Sequence, residues 1–118
     1  MIVVDASAMT EFLLQTPRGR RVETRLFQDD DELHVPHLLD VEVLQALRRL
    51  VRTRELSADR AEEAIADLAD FDLRRHPLVD FLGRAWELRD NVTAYDAMYV
   101  ALAEAIEARL IPCDGSLG

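Results

Sequence analysis

The chain opens on three consecutive apolar residues, Ile2, Val3 and Val4, ended by Asp5, and an apolar pattern of helical spacing follows at once through Ala8, Phe12 and Leu13. A β-branched run cut short by a polar residue and followed by a period near 3.6 predicts a strand, a sharp turn and a helix. Pro17 closes that helix, and a second amphipathic stretch places Val22, Leu26 and Phe27 inward and Arg18, Arg20, Arg21 and Arg25 outward. Residues 29–32 are all acidic and read as a charged loop. A second strand is expected over 33–36, then a helix on which Leu39, Val43, Ala46, Leu47 and Leu50 recur at three and four.

Ser57 is a good N-cap for a helix with Ala61, Ile65 and Leu68 inward, and the polar stretch over 70–77 has room for a short third strand. Leu78, Phe81, Leu82, Ala85 and Leu88 predict another helix, and Thr93 begins one whose face is Asp96, Val100, Ala103 and Ile106. Residues 110–113 close the chain as a strand. Short strands alternating with helices imply an α/β/α fold of three layers, because parallel strands need crossovers and helices supply them on both faces. At 118 residues the chain fits a single domain, 1–118, so every motif belongs to one architecture. Such sheets bind ligands beyond the carboxyl ends of their strands, where the strand order reverses, and Asp5 and Asp114 both fall at expected strand ends.

Composition narrows the function classes. With 49% hydrophobic and 31% charged residues, and only four Gly and four Pro, the chain has the make-up of a globular domain. Asp5 and Glu11 interrupt the opening apolar run and no basic leader precedes it, so no signal peptide is read. The longest uncharged apolar stretch, 97–103, falls far short of the roughly 20 residues that span a bilayer, so no membrane association is expected. The single Cys113 has no partner for an internal disulfide, and a cytoplasmic protein is the simplest expectation. A net charge of −9 runs against nucleic acid, whose phosphates are held by basic side chains. All 14 basic residues are arginine, which excludes chemistry that needs a Schiff-base, P-loop or phosphate-pairing lysine.

The candidate chemistry is acidic. Asp5, Glu42, Asp96 and Asp114 each have a structural alternative: an N-cap for Asp5, a salt bridge to Arg48 or Arg49 for Glu42, a capping box with Thr93 for Asp96, and an ordinary Asp-Gly turn for Asp114. Glu42 stands beside the apolar stripe of its helix, where an unpaired carboxylate is costly. Four acids at strand ends or on inward faces of one domain can meet at one sheet edge, and several like charges held together require a cation. Oxygen ligands favour Mg²⁺ or Mn²⁺ over zinc, and no Cys/His set has zinc spacing, so His34 and His37 read as loop histidines.

Three segments, Ile2-Val3-Val4-Asp5-Ala6-Ser7, Asp40-Val41-Glu42-Val43 and residues 91–104 around Thr93-Ala94-Tyr95-Asp96-Ala97, together resemble the VapC-type PIN-domain toxins of VapBC toxin-antitoxin pairs. The resemblance covers nearly the whole chain in order and spacing. It implies four or five parallel strands flanked by helices, with Asp5, Glu42, Asp96 and Asp114 as an acidic quartet that binds Mg²⁺ or Mn²⁺ and hydrolyses RNA phosphodiesters. Within that implication Asp5 is the principal ligand, Glu42 and Asp96 are ligands or water orienters, and Asp114 is an optional ligand to a second ion. Ser7, Asn91 and Thr93 position a phosphate or water, and Arg18, Arg20, Arg21 and Arg25 hold the RNA backbone. Bound cations soften the objection raised by the net charge. The resemblance further implies a VapB-like antitoxin partner, a homodimer and a toxin-antitoxin hetero-oligomer. Two departures from the family pattern stand out: Pro112 occupies the place of a frequent hydroxyl residue, and the chain ends at Gly118, short of the usual last strand.

Two other nuclease-family readings stay open at this point, a PIN ribonuclease of RNA maturation and a non-catalytic PIN-like binding module. Two rivals from other classes do not. A receiver domain needs a lysine, and a phosphatase of the haloacid-dehalogenase type needs an aspartate where Ser7 stands.

Overall fold

The computed structural model describes residues 1–112; residues 113–118, which include Asp114 and the end of the expected last strand, lie outside the described residues. In chain order the elements are β1 (Ile2–Val4), α1 (Ala6–Leu14), α2 (Pro17–Leu26), β2 (Leu33–Pro36), α3 (Leu38–Arg52), α4 (Ala58–Asp70) and β3 (Arg74–His76). A 3₁₀ turn (Leu78–Phe81) then leads into α5 (Leu82–Glu87), α6 (Ala94–Ala105) and β4 (Arg109–Ile111).

The helices start where side chains can satisfy their first N–H groups. Asp5 accepts from the Ala8 N–H at 2.8 Å, Thr16 from Gly19 at 3.0 Å, Ser57 from Arg60 at 3.1 Å and Thr93 from Asp96 at 3.1 Å. Pro17 sits in the first turn of α2, where its missing N–H costs nothing. Gln15 ends α1 in the left-handed region, with φ of 54°.

The four strands form one parallel sheet in the order β3-β2-β1-β4, with Ile2 opposite Leu33 on one side and Arg109 on the other. Ile2, Val3 and Val4 are all fully buried although successive residues of a strand face opposite ways, so both faces of the sheet are covered. The cover comes in two packing groups, α1 to α4 on one hand and α5, α6 and the 3₁₀ turn on the other. Connections from β1 through β2 to β3 move one way across the sheet, and β4 then returns to the far side of β1. The reversal therefore falls between β1 and β4, where the Asp5 N–H donates to the Ile111 carbonyl at 3.3 Å.

Several expectations need correction. His34 is no loop residue: it lies in β2, is 7% exposed, and its Nδ1 stands 2.8 Å from Nε2 of His76 on β3. A strand of a doubly covered sheet buries whatever it carries, and the second histidine supplies the hydrogen bond that makes burial tolerable. His37, by contrast, is exposed just before α3. Ile65 is on the surface, because α4 turns Ala61, Ala64 and Leu68 inward and Ile65 lies off that stripe. The helix expected to begin at Leu78 is split into the 3₁₀ turn and a six-residue α5.

The His34–His76 pair carries a pH prediction. Burial, with the neighbouring His34 and His37 adding to it, holds His76 below the ordinary histidine range, while Asp80 pulls the other way. A histidine depressed in the folded state takes up protons later than it does in the unfolded chain, so folding is favoured fully above the unfolded pKa of about 6.5 and less as pH falls below it. Urea midpoints measured from pH 7.5 down to 5 should decline for the native chain and decline less for His76→Gln.

Candidate active site at the carboxyl edge of the sheet

Asp5 is placed by β1 and held by its own cap on α1, with Ser7 exposed in the first turn. Glu42 comes from the second turn of α3, whose start is fixed by a two-pronged ion pair: Arg75 on β3 donates to Asp40 from Nε at 2.8 Å and from Nη2 at 3.0 Å. Asp96 sits in the first turn of α6, where the helix dipole favours an acid.

The structural alternative for Glu42, a salt bridge to Arg48 or Arg49, is not found among the described residues. Its partner is the Tyr99 hydroxyl on α6, which donates to Glu42 Oε1 at 2.6 Å. Tyr99 is 2% exposed, and burial, with the Glu42 carboxylate and the charge of Asp5 behind it, keeps the hydroxyl protonated far above the usual tyrosine range. Burial also raises Glu42 above the carboxylate range; the Tyr99 hydrogen bond opposes that and the charge of Asp96 adds to it. Glu42 thus feels the charge of Asp96, and the buried Tyr99 feels those of Glu42 and Asp5, at the edge where the sheet order reverses.

This electrostatic arrangement is the one a hard cation fits. The donors are all oxygen, and neither Glu42 nor Asp96 has an arginine partner among the described residues. Among the described residues no three acids or histidines already stand grouped as a metal cage. Asp114 lies outside the described residues, and Thr93 and Asn91 flank the site, Thr93 as the α6 cap and Asn91 exposed in the preceding turn.

An open cleft of about 690 Å³ runs from this edge along α3, lined by Ser7, Glu42, Gln45, Arg49 and Tyr95 over an apolar floor that includes Leu38 and Val41. Arg18, Arg20, Arg21 and Arg25 are exposed on α2 and are not among its lining residues.

Tyr99 is the residue that reading the sequence missed. A signal was present: a tyrosine inside an apolar run must find a partner for its hydroxyl, and a glutamate beside an apolar stripe must find a donor. Tyr99→Phe keeps the ring and removes only the donor. Unfolding should show a loss of about 1 kcal/mol, and RNA cleavage should fall about 10- to 100-fold as Glu42 loses its orientation.

Residues 2–117 match the PIN domain family. The chain is 41% identical over 114 residues to ribonuclease VapC9 of Mycobacterium tuberculosis, covering 97% of this chain and 86% of that protein. It is likewise 41% identical over 117 residues to ribonuclease VapC12 of the same organism, with 99% and 89% covered. The crystal structure of M. tuberculosis VapC20, a sarcin-ricin loop cleaving toxin, superimposes with a TM-score of 0.74 over 98% of this chain and 92% of that one, at 16% identity, a likeness of fold. Matches of this extent, in sequence and in fold, place the chain in the PIN-domain family, among the VapC ribonucleases.

Proposed function

We propose that this ribonuclease is the toxin of a VapBC pair and cuts RNA endonucleolytically at the cluster of Asp5, Glu42 and Asp96. The observation that carries the reading is the Tyr99–Glu42 hydrogen bond at 2.6 Å, which holds a half-buried carboxylate within reach of the charge of Asp96. The names of the relatives, ribonucleases VapC9 and VapC12, and of the structural neighbour, a toxin that cleaves RNA, agree with it.

In this reading Asp5 and Asp96 would hold a divalent cation, Mg²⁺ or Mn²⁺, with Asp114 as an optional further ligand. Bound there, such an ion supplies Lewis acidity toward the phosphoryl group and lowers the pKa of a water. The chain's own residues do the rest. Tyr99 fixes Oε1 of Glu42, so that Oε2 is aimed to orient the attacking water and receive its proton. Ser7, which lines the cleft, together with Asn91 and Thr93 would position a phosphate oxygen or that water. The bond broken is the one to the 3′-oxygen, which leaves as a 3′-hydroxyl. Arg18, Arg20, Arg21 and Arg25 offer phosphate contacts outside the cleft, and the acidic site suits a basic segment of a VapB-like antitoxin. A homodimer completes the proposal. No helix among the described residues is long and apolar enough to cross a membrane.

The test is cleavage of a structured RNA by the purified chain with Mg²⁺, with Mn²⁺ and with chelator. Cutting with either ion, lost with chelator and restored by adding the ion back, is the expected result. Equal cutting in chelator would remove the metal from the mechanism, and no cutting by folded protein under any condition would remove the ribonuclease reading.

A further inference from the structure

We infer that the cleft along α3 is the track of an unpaired stretch of the RNA, with Tyr95 as the platform for one base and Arg49 as the contact for a phosphate next to the scissile one; this rests on the ribonuclease reading above. Tyr95 is 60% exposed, and it precedes Asp96 directly on α6. Its ring lines the cleft and is largely open to solvent there. Bases offer it a flat apolar partner of any sequence, which is how single strands are bound without reading base edges.

Arg49 is the one arginine among the residues lining the cleft. It follows Glu42 by seven residues, which is two helical turns on the same face of α3 and about 10 Å along it. That spacing is too long for an ion pair with Glu42. It suits instead a phosphate displaced along the strand from the one being cut. Gln45 and Ala46 lie between them, Leu38 and Val41 extend the apolar lining beyond Glu42 to accept sugars and base edges, and Ser7, Thr10 and the carboxylate of Glu11 complete the walls. A duplex has its bases stacked on each other and leaves none for Tyr95, so the substrate presents a loop, bulge or single strand at the cut.

The experiment uses the full chain and a hairpin RNA cut in its loop, compared with the same RNA carrying an abasic residue on either side of the cut. Tyr95→Ala is expected to raise KM about tenfold or more, with kcat within about twofold, and Tyr95→Phe to stay near the native value because the ring is kept. One abasic substitution should cost the native chain the same factor and cost Tyr95→Ala nothing further. Arg49→Gln should raise KM and flatten its salt dependence by about one phosphate contact. Binding of the hairpin, read by fluorescence anisotropy in an Asp5→Asn background with and without Tyr95→Ala, gives a readout independent of cutting. A loss of affinity there supports the track even if the chain proves not to cut RNA. Unchanged binding and unchanged KM in Tyr95→Ala and Arg49→Gln overturn the inference and leave the cleft to a protein partner.

Discussion

Asp96→Asn is expected to lower RNA cleavage by at least about 100-fold while leaving the folded protein as stable as before or slightly more so. The two halves of this expectation have one cause. Asp96 raises the pKa of the half-buried Glu42 by its charge, so without a cation the two acids oppose each other. Asparagine removes the repulsion, keeps the side-chain size, and leaves intact the Thr93 cap, which receives the backbone N–H of residue 96. Under the proposed function the same change would remove a charged ligand from the ion, a larger loss than the 10- to 100-fold typical of groups that merely support ligands. Asp5→Asn should behave alike in activity, since asparagine caps a helix as well as aspartate does and the Ala8 N–H keeps its acceptor. Cleavage rates and thermal unfolding measured on the same preparations check both halves. A variant that has lost activity together with its fold would not count as support.

Gly19→Ala is expected to be the most damaging small substitution in the described part of the chain. Gly19 is buried in α2 against α1, and a Cβ there would lie 1.9 Å from the carbonyl oxygen of Glu11 and 2.4 Å from its carbon. Both are backbone atoms, so no side-chain rotation relieves the overlap and the two helices must part. The expected cost is about 3 kcal/mol, the upper end for overpacking, a large fraction of the 5–15 kcal/mol that holds a typical domain together. The melting temperature should fall by roughly 10 °C or more. Gly83→Ala is the control: nothing lies within 4 Å of its Cβ position, and alanine in a helix is better than glycine by roughly 0.5–1 kcal/mol. Because α1 begins at Asp5, parting α1 from α2 should also disturb the site, and activity should fall with stability.

Much of this architecture was legible before the fold was known, for reasons particular residues make plain. The run Ile2-Val3-Val4 ended by Asp5 is a central strand of a doubly covered sheet, and three β-branched residues in succession favour such a strand. The caps Asp5, Ser57 and Thr93 were visible as polar residues standing just before apolar periodicity. Glu42 was visible as an acid beside an apolar stripe, where a carboxylate is costly, and Asp5 and Asp96 as acids at a strand end and a helix start. What stayed hidden depended on partners far along the chain. Glu42 had an arginine ion pair only as its structural alternative, and its partner is Tyr99, 57 residues away, which no local spacing foretells. The position of α6 is the reason: the helix is buried on most of its surface, with Met98, Tyr99, Ala101 and Leu102 all inside, so its inward face is wider than the stripe of Asp96, Val100, Ala103 and Ile106 read from periodicity. His34 was hidden for the same reason, since only the register of β2 against β3 brings His76 to it. Asp114, the weakest of the four acids by sequence, lies outside the described residues.

The most direct test of the account is a titration of Mn²⁺ into the RNA-free protein, followed by calorimetry, for the native chain, Asp5→Asn, Asp96→Asn and Arg18→Gln. The account predicts saturable binding by the native chain and by Arg18→Gln, and at least about a tenfold weaker affinity in both acid variants. Equal Mn²⁺ affinity in all four proteins would contradict the assignment of Asp5 and Asp96 as the acids that hold the ion.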